Sequence, residues 1–149
     1  MNSSAPRVIL LADDDAEDCL LLGEALREIG RDVDLRTVRD GEELLDYLHR
    51  RGRYAPPADA PTPDVILMDL KMPRLDGREA IRALKGHPRW RRTPIVALTT
   101  STAQDDIAAC YDLGVNSYIP KPVTYRALVE IVKVMSRYWF DVVELPPRG

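Results

Sequence analysis

Residues Val65–Gly77 read VILMDLKMPRLDG, and the reading of this stretch decides the fold. Four apolar side chains, Val65 to Met68, run without a polar interruption into Asp69. An alternating strand would show one face to water, whereas a continuous run marks a strand covered on both faces, as in parallel sheets. Asp69 is then either a plain loop acid or a group held at the sheet edge. The loop that follows leads into a helix over Gly77–Lys85, which His87-Pro88 breaks.

Outward from this segment the same grammar repeats. Upstream, Arg7–Ala12 (RVILLA) is a second continuous run, ended by Asp13-Asp14-Asp15. A helix follows with Cys19, Leu22, Leu26 and Ile29 on one stripe, stopped by Gly30. Val33–Val38 alternates and reads as a half-buried edge strand, and Asp40 with Glu43 makes a capping box for a helix to about Arg51. The proline-rich stretch Gly52–Pro63 (GRYAPPADAPTP) is expected to be the least ordered part of the chain. Downstream, Ile95–Leu98 ends in Thr99-Thr100, and Thr102 is expected to cap a helix ending at Gly114. Ser117–Ile119 is a short strand before Pro120-Lys121-Pro122, and Thr124 caps a last helix reaching about Phe140. Five strands alternating with five helices predict an α/β fold, a doubly wound five-stranded parallel sheet with helices on both faces. The reading is a single domain over residues 1–149, with a core of about 7–140 and a tail over 141–149.

Composition narrows the function. The 149 residues are 45% hydrophobic and 30% charged, as in ordinary globular proteins. With 21 basic and 24 acidic residues the net charge is -3, so the electrostatic footprint of a nucleic-acid binder is missing and no nucleic-acid partner is expected. Cys19 and Cys110 fall in helical patterns with no metal-ligand or disulfide spacing and are expected to be buried free thiols. Residues 1–6 resemble no signal segment and no run approaches a membrane span, so a cytoplasmic protein without membrane contact is expected. His49 and His87 stand far apart in sequence and read as surface histidines, and Arg89–Arg92 (RWRR) as a solvated loop with Trp90 packed locally.

The unusual chemistry gathers at strand ends. With strand order 2-1-3-4-5 the first and third strands are neighbours, so Asp13, Asp14 and Asp69 converge at the switch point where such sheets bind ligands. Taken alone, Asp13 and Asp14 also suit a polar turn in which one acid caps a helix. Converged carboxylates resist ionising together, and a hard divalent cation resolves the repulsion, which makes a Mg²⁺ site. Lys121 is one of only four lysines and follows a strand directly; Lys121-Pro122 is a candidate for a cis bond at a sharp turn. Its ammonium near Asp69 would stabilise an entering anion, and Thr99 adds a hydroxyl at the adjacent strand end.

Asp13-Asp14, Asp69, Thr99 and Lys121-Pro122, with Pro73 and Gly77 of DLKMPRLDG, resemble the signature of bacterial response-regulator receivers, which have a CheY-like, flavodoxin-like fold. The separations agree, 30 positions from Asp69 to Thr99 and 22 from Thr99 to Lys121, and the resemblance spans Arg7 to Phe140. It implies that Asp69 is a phosphoacceptor for a sensor histidine kinase. It also implies that Asp14, Asp69 and the Lys71 carbonyl ligate Mg²⁺, with Asp13 acting through water. Lys121 would offset phosphoryl charge, and Thr99 would bond the new phosphate and draw Tyr118 inward as a switch. The Tyr54–Pro63 insert, the LTTS turn (Leu98–Ser101) and the tail YWFDVVELP are similar to single-domain regulators paired with bacterial and cyanobacterial phytochromes. Lys71, two positions after the phosphoacceptor, departs from the usual neutral residue, as does Pro120 before Lys121.

The last helix carries more apolar residues than one sheet face can bury, and the tail adds aromatic ones. A homodimer through Val134, Tyr138 and Trp139 is therefore expected, against the alternative that the tail folds back as extra core. Signalling is expected to pass to an unknown downstream protein and to involve no substrate turnover. Two other functions compete. One is a pseudo-receiver that never takes phosphate. The other is an aspartate-nucleophile phosphatase of the haloacid-dehalogenase kind, disfavoured because Lys71 stands where the second aspartate is needed.

Overall fold

In the computed structural model, which describes residues 6–147, one parallel sheet has the order β2-β1-β3-β4-β5. The strands are β1 (Arg7–Ala12), β2 (Val33–Val38), β3 (Val65–Met68), β4 (Ile95–Thr99) and β5 (Ser117–Pro120). The helices are α1 (Ala16–Glu28), α2 (Gly41–His49), α3 (Gly77–Lys85), α4 (Gln104–Leu113) and α5 (Tyr125–Arg137). The polar stretch over residues 1–5 and the last two tail positions lie outside the described residues.

The central strand explains its own sequence. Ile66 and Met68 point into a core shared with Leu44, Ile81, Leu84 and Trp90 on the α2–α3–α4 side. Val65 and Leu67 point into the opposite core, shared with Leu22 and Leu26 of α1 and with Leu128 and Val132 of α5. Successive side chains of a strand face opposite ways, so a strand sandwiched between two helical layers has no polar position left. Edge strand β2 is only half-buried over most of its length and keeps its alternation.

Helix starts follow the cap chemistry, with one exception. Asp15 caps α1 by accepting from the N–H groups of Glu17 (2.9 Å) and Asp18 (3.2 Å). Asp40 accepts from Glu43 N–H at 2.8 Å, while the Glu43 carboxylate reaches back to Arg39 N–H at 2.7 Å. Thr124 caps α5 through Ala127 N–H at 3.1 Å. At the other end of α1, Gly30 takes a left-handed φ of 72°, which favours glycine. The exception is α4: its N-cap is Ala103, which offers no side-chain acceptor, so Thr102 does not cap it. The hydroxyl that serves this turn belongs to Ser101, which accepts from Ala103 N–H at 3.3 Å.

Four other expectations are corrected. The proline-rich stretch is pinned rather than loose: Arg50 donates to the carbonyls of Tyr54, Ala58 and Ala60, and Tyr47 donates to Pro61 O at 2.7 Å. Lys121–Pro122 is trans, and Lys121 N–H donates to Thr99 O at 2.8 Å, which continues the pairing with β4 one residue past β5. His49 and His87 are not isolated; their ring centroids lie 5.2 Å apart, and both rings sit near Trp90. The final helix stops at Arg137 and passes into a wider π-turn over Tyr138–Val142, closed by Val143 N–H on Tyr138 O at 3.1 Å. That turn divides the tail. Trp139, Phe140 and Leu145 pack on the α1–α5 core, and Asp141 pairs with Arg31. Val134, Tyr138 and Val142 stay 65%, 50% and 65% exposed. Trp139 is thus partly buried against the chain's own core. Among the described residues no helix is long and apolar enough to cross a membrane.

Candidate functional site

Backbone pairing carries the acids to one place. Asp13 N–H donates to Val38 O at 3.0 Å and Asp69 N–H to Ala12 O at 2.9 Å, so the chains leaving β1 and β3 stay side by side for one residue beyond the sheet. Carboxylate oxygens of Asp13, Asp14 and Asp69 come within 4.8 Å of one another, with Asp13 and Asp69 buried and Asp14 exposed. The β3–α3 loop folds back because Gly77 N–H donates to Leu70 O at 3.0 Å. A Cβ at Gly77 would stand 2.6 Å from Asp69 O and 2.7 Å from Leu70 Cα, so the loop closes this tightly only over glycine.

Lys121 enters from the end of β5. Its ammonium lies 2.9 Å from Asp13 Oδ2, 3.1 Å from Asp69 Oδ2 and 2.7 Å from Asp18 Oδ2. Burial pushes the Asp13 carboxyl above its ordinary value, opposed by the bonds from Lys121 and from Asp15 N–H. Burial alone would lower the Lys121 pKa. The bonds to Asp18 and Asp13 and the charges of Asp13 and Asp69 outweigh it, and the ammonium is held above its ordinary value. A half-buried positive charge is therefore fixed against the buried carboxylates of Asp13 and Asp69 and the more exposed one of Asp18.

The remaining predicted residues take less uniform places. Thr99 is fully buried at the end of β4, and its hydroxyl has no hydrogen-bond partner. Tyr118 is half-buried and donates to Ser101 O in the β4–α4 loop at 2.8 Å, so it bonds that loop and not Thr99. Ser101 in turn donates to Asp106 at 2.5 Å, and Asp106 pairs with Arg78 of α3 at 3.1 Å. Lys71 brings its backbone to the site, with its N–H donating to Asp69 Oδ1 at 3.2 Å, while its side chain is exposed. Cys19 and Cys110 are free thiols; burial pushes Cys19 to about 11, and it is only half-buried. Sequence reasoning missed Asp18. An acid in the first turn of a helix reads as a complement to the helix dipole, and nothing local marks it as a partner of Lys121.

The site thus joins an acid trio that can share a cation, a lysine bonded to Asp13 and Asp69, and a buried hydroxyl without a partner, a set able to offset charge on an anion that enters it. The sequence profile described as "Response regulator receiver domain" matches residues 9–133. The chain belongs to the response regulator receiver family. This receiver is 38% identical over 144 residues to Response regulator Rcp1 of Synechocystis sp., covering 97% of this chain and 96% of that protein. It superposes on the phosphorylated cyanobacterial phytochrome response regulator RcpA with a TM-score of 0.88 at 40% identity, covering 96% of this chain and all of that one. The Mn²⁺-bound form of Rcp1 gives 0.85 at 37% identity, over 95% of this chain and all of that one. As a receiver the chain is a two-component signalling switch, with no enzyme family indicated and a histidine kinase implied as partner. Receivers bind a divalent metal, and the cluster of Asp13, Asp14 and Asp69 could hold one.

Proposed function

We propose that this receiver takes a phosphoryl group from a sensor histidine kinase onto Asp69 in a Mg²⁺-dependent step. The observation that carries the reading is the juxtaposition of Asp69 with a metal-capable acid trio on one side and the Lys121 ammonium, 3.1 Å away, on the other. An Asp69 oxygen attacks phosphorus, the P–N bond to the donor imidazole breaks as the P–O bond forms, and the imidazole leaves with a proton. Asp13, Asp14, Asp69 and the Lys71 carbonyl would hold Mg²⁺, which supplies charge neutralisation to the transferring oxygens. Lys121 holds its charge beside the entering phosphoryl group. The Thr99 hydroxyl, buried and unpartnered, is available to donate to a phosphate oxygen, and fits the group for that reason. Tyr118 responds through the loop that it already bonds. Incubation with acetyl phosphate and Mg²⁺ should add one alkali-labile phosphoryl group, and Asp69→Asn should add none; uptake at full stoichiometry in that variant sinks the assignment. A pseudo-receiver has no use for the buried charge cluster, and a phosphatase would need a second carboxylate where Lys71 stands.

Similarity to phytochrome response regulators supports a phytochrome-type kinase as donor; to this reading we add a cytoplasmic location and one domain with its core over about residues 7–140. Output runs through protein contact. The face carrying exposed Val134 and Tyr138, with the edge of Trp139 stacked on Tyr138 at 5.0 Å, supports a symmetric homodimer. Sedimentation should give a dimer at tens of micromolar for wild type and a monomer for Val134→Glu plus Tyr138→Glu; a wild-type monomer with and without phosphate refutes this.

A further inference from the structure

Lys121 has three anionic partners, and one of them stands outside the acid cluster. Asp13 and Asp69 belong to the trio whose oxygens can share a cation; Asp18 does not. Asp18 lies on the first turn of α1 and accepts the shortest of the three contacts, at 2.7 Å. Its side chain is 38% exposed and that of Lys121 14%, so the pair sits at the rim of the site, where α1 faces the chain leaving β5. Both residues line the cleft between α1 and the start of α5, together with Leu21, Pro122 and Tyr125.

We infer that Asp18 is a positioning residue for Lys121, holding the ammonium at the mouth of the acid cluster during phosphoryl transfer. The inference rests on the phosphoacceptor reading of Asp69. Its logic is one of changing partners. A divalent cation draws on Asp13 and Asp69, and a phosphoryl group on Asp69 removes one of that carboxylate's two charged oxygens. Both events exchange what Lys121 bonds inside the cluster, and Asp18 is untouched by either. A lysine is a point charge on a flexible four-carbon stem and does not orient itself. Without Asp18 the ammonium settles deeper between Asp13 and Asp69, where it competes with the cation, or swings out to solvent. Both displacements lower the rate of transfer. An ion pair this exposed contributes little to stability, so its effect is read in phosphoryl loading and metal binding.

The experiment uses the full chain with acetyl phosphate as donor, and calorimetry for Mg²⁺. Asp18→Asn should load roughly tenfold to a hundredfold more slowly than wild type at saturating Mg²⁺, with its thermal midpoint unchanged. Asp18→Glu should recover part of the rate. Combined with Lys121→Ala, Asp18→Asn should cost nothing beyond Lys121→Ala alone, because the two act as one unit. Loading of Asp18→Asn at the wild-type rate overturns the inference, as does an equal penalty in the Lys121→Ala background. Should wild type load normally on Asp69 while Asp18→Asn does too, this inference falls alone; should wild type take no phosphoryl group, the reading beneath it falls as well.

Discussion

Strand β3 has a buried aspartate just beyond each end: Asp64 at the N-terminal edge of the sheet, 6% exposed, and Asp69 at the C-terminal edge, 7% exposed. Burial is therefore the same, and the surroundings are opposite. Asp64 accepts from Val8 N–H of the neighbouring strand at 2.8 Å and faces Arg7 at 3.7 Å; its own N–H donates to Val8 O at 2.8 Å. It closes the ladder between β1 and β3 at its open end. Asp69 looks out on two more carboxylates and a lysine, and the adjacent strand end carries a hydroxyl with no partner. A buried carboxylate bonded by the fold's own backbone is architecture. One set among like charges is destabilising until a cation or a reaction relieves it, and that marks chemistry.

The comparison is broken most sharply by removing each acid in turn. Asp69→Asn should abolish phosphoryl uptake while leaving the thermal midpoint, measured without divalent cation, at or above that of wild type. The cluster then loses one repelling charge, and Lys121 keeps Asp13 and Asp18. Asp64→Ala should do the reverse: it strands the buried Val8 N–H, lowers unfolding free energy by about 1–3 kcal/mol in urea titration, and leaves loading rates as in wild type. Slow loading in Asp64→Ala at a temperature where it is folded would dissolve the distinction. A smaller effect sharpens the C-terminal edge alone. The exposed Lys71 side chain, two positions after Asp69, is placed to crowd the approach of water to an acyl phosphate. Lys71→Asn should dephosphorylate several-fold faster; equal or slower decay would show that the side chain shields nothing.

The same contrast separates what could be read in the sequence from what could not. Arg7–Ala12 and Val65–Met68 announced a parallel sheet because two-sided burial writes itself as uninterrupted apolar residues. Asp13, Asp14, Asp69, Thr99 and Lys121 were legible because each ends a strand or stands within two residues of its end, and strand ends in this topology share one edge. Asp18 was not legible, since its partner lies 103 positions away and its local setting already explains an acid there. The His49–His87 contact and the pinning of the proline-rich stretch by Arg50, Tyr47 and Arg36 escaped for the same reason: composition shows a loop, and only the fold shows what holds it. Thr102 misled because two hydroxyls stand side by side in Ser101-Thr102, and the backbone chose the first. The π-turn after α5 was not legible either, because no 3.6-residue pattern shows it.

Helix α4 lacks a side-chain cap, buries only Cys110, and ends on Gly114 at a φ of 108°. Every other α-helix of the sheet layers buries at least three residues. With so little buried, α4 is held at its start by two connections, Tyr118 to Ser101 and Ser101 to Asp106, which lead straight to the end of β4. The fold is therefore uneven: a doubly packed sheet carries the acid cluster at one edge, and the helix with the fewest buried residues stands beside it.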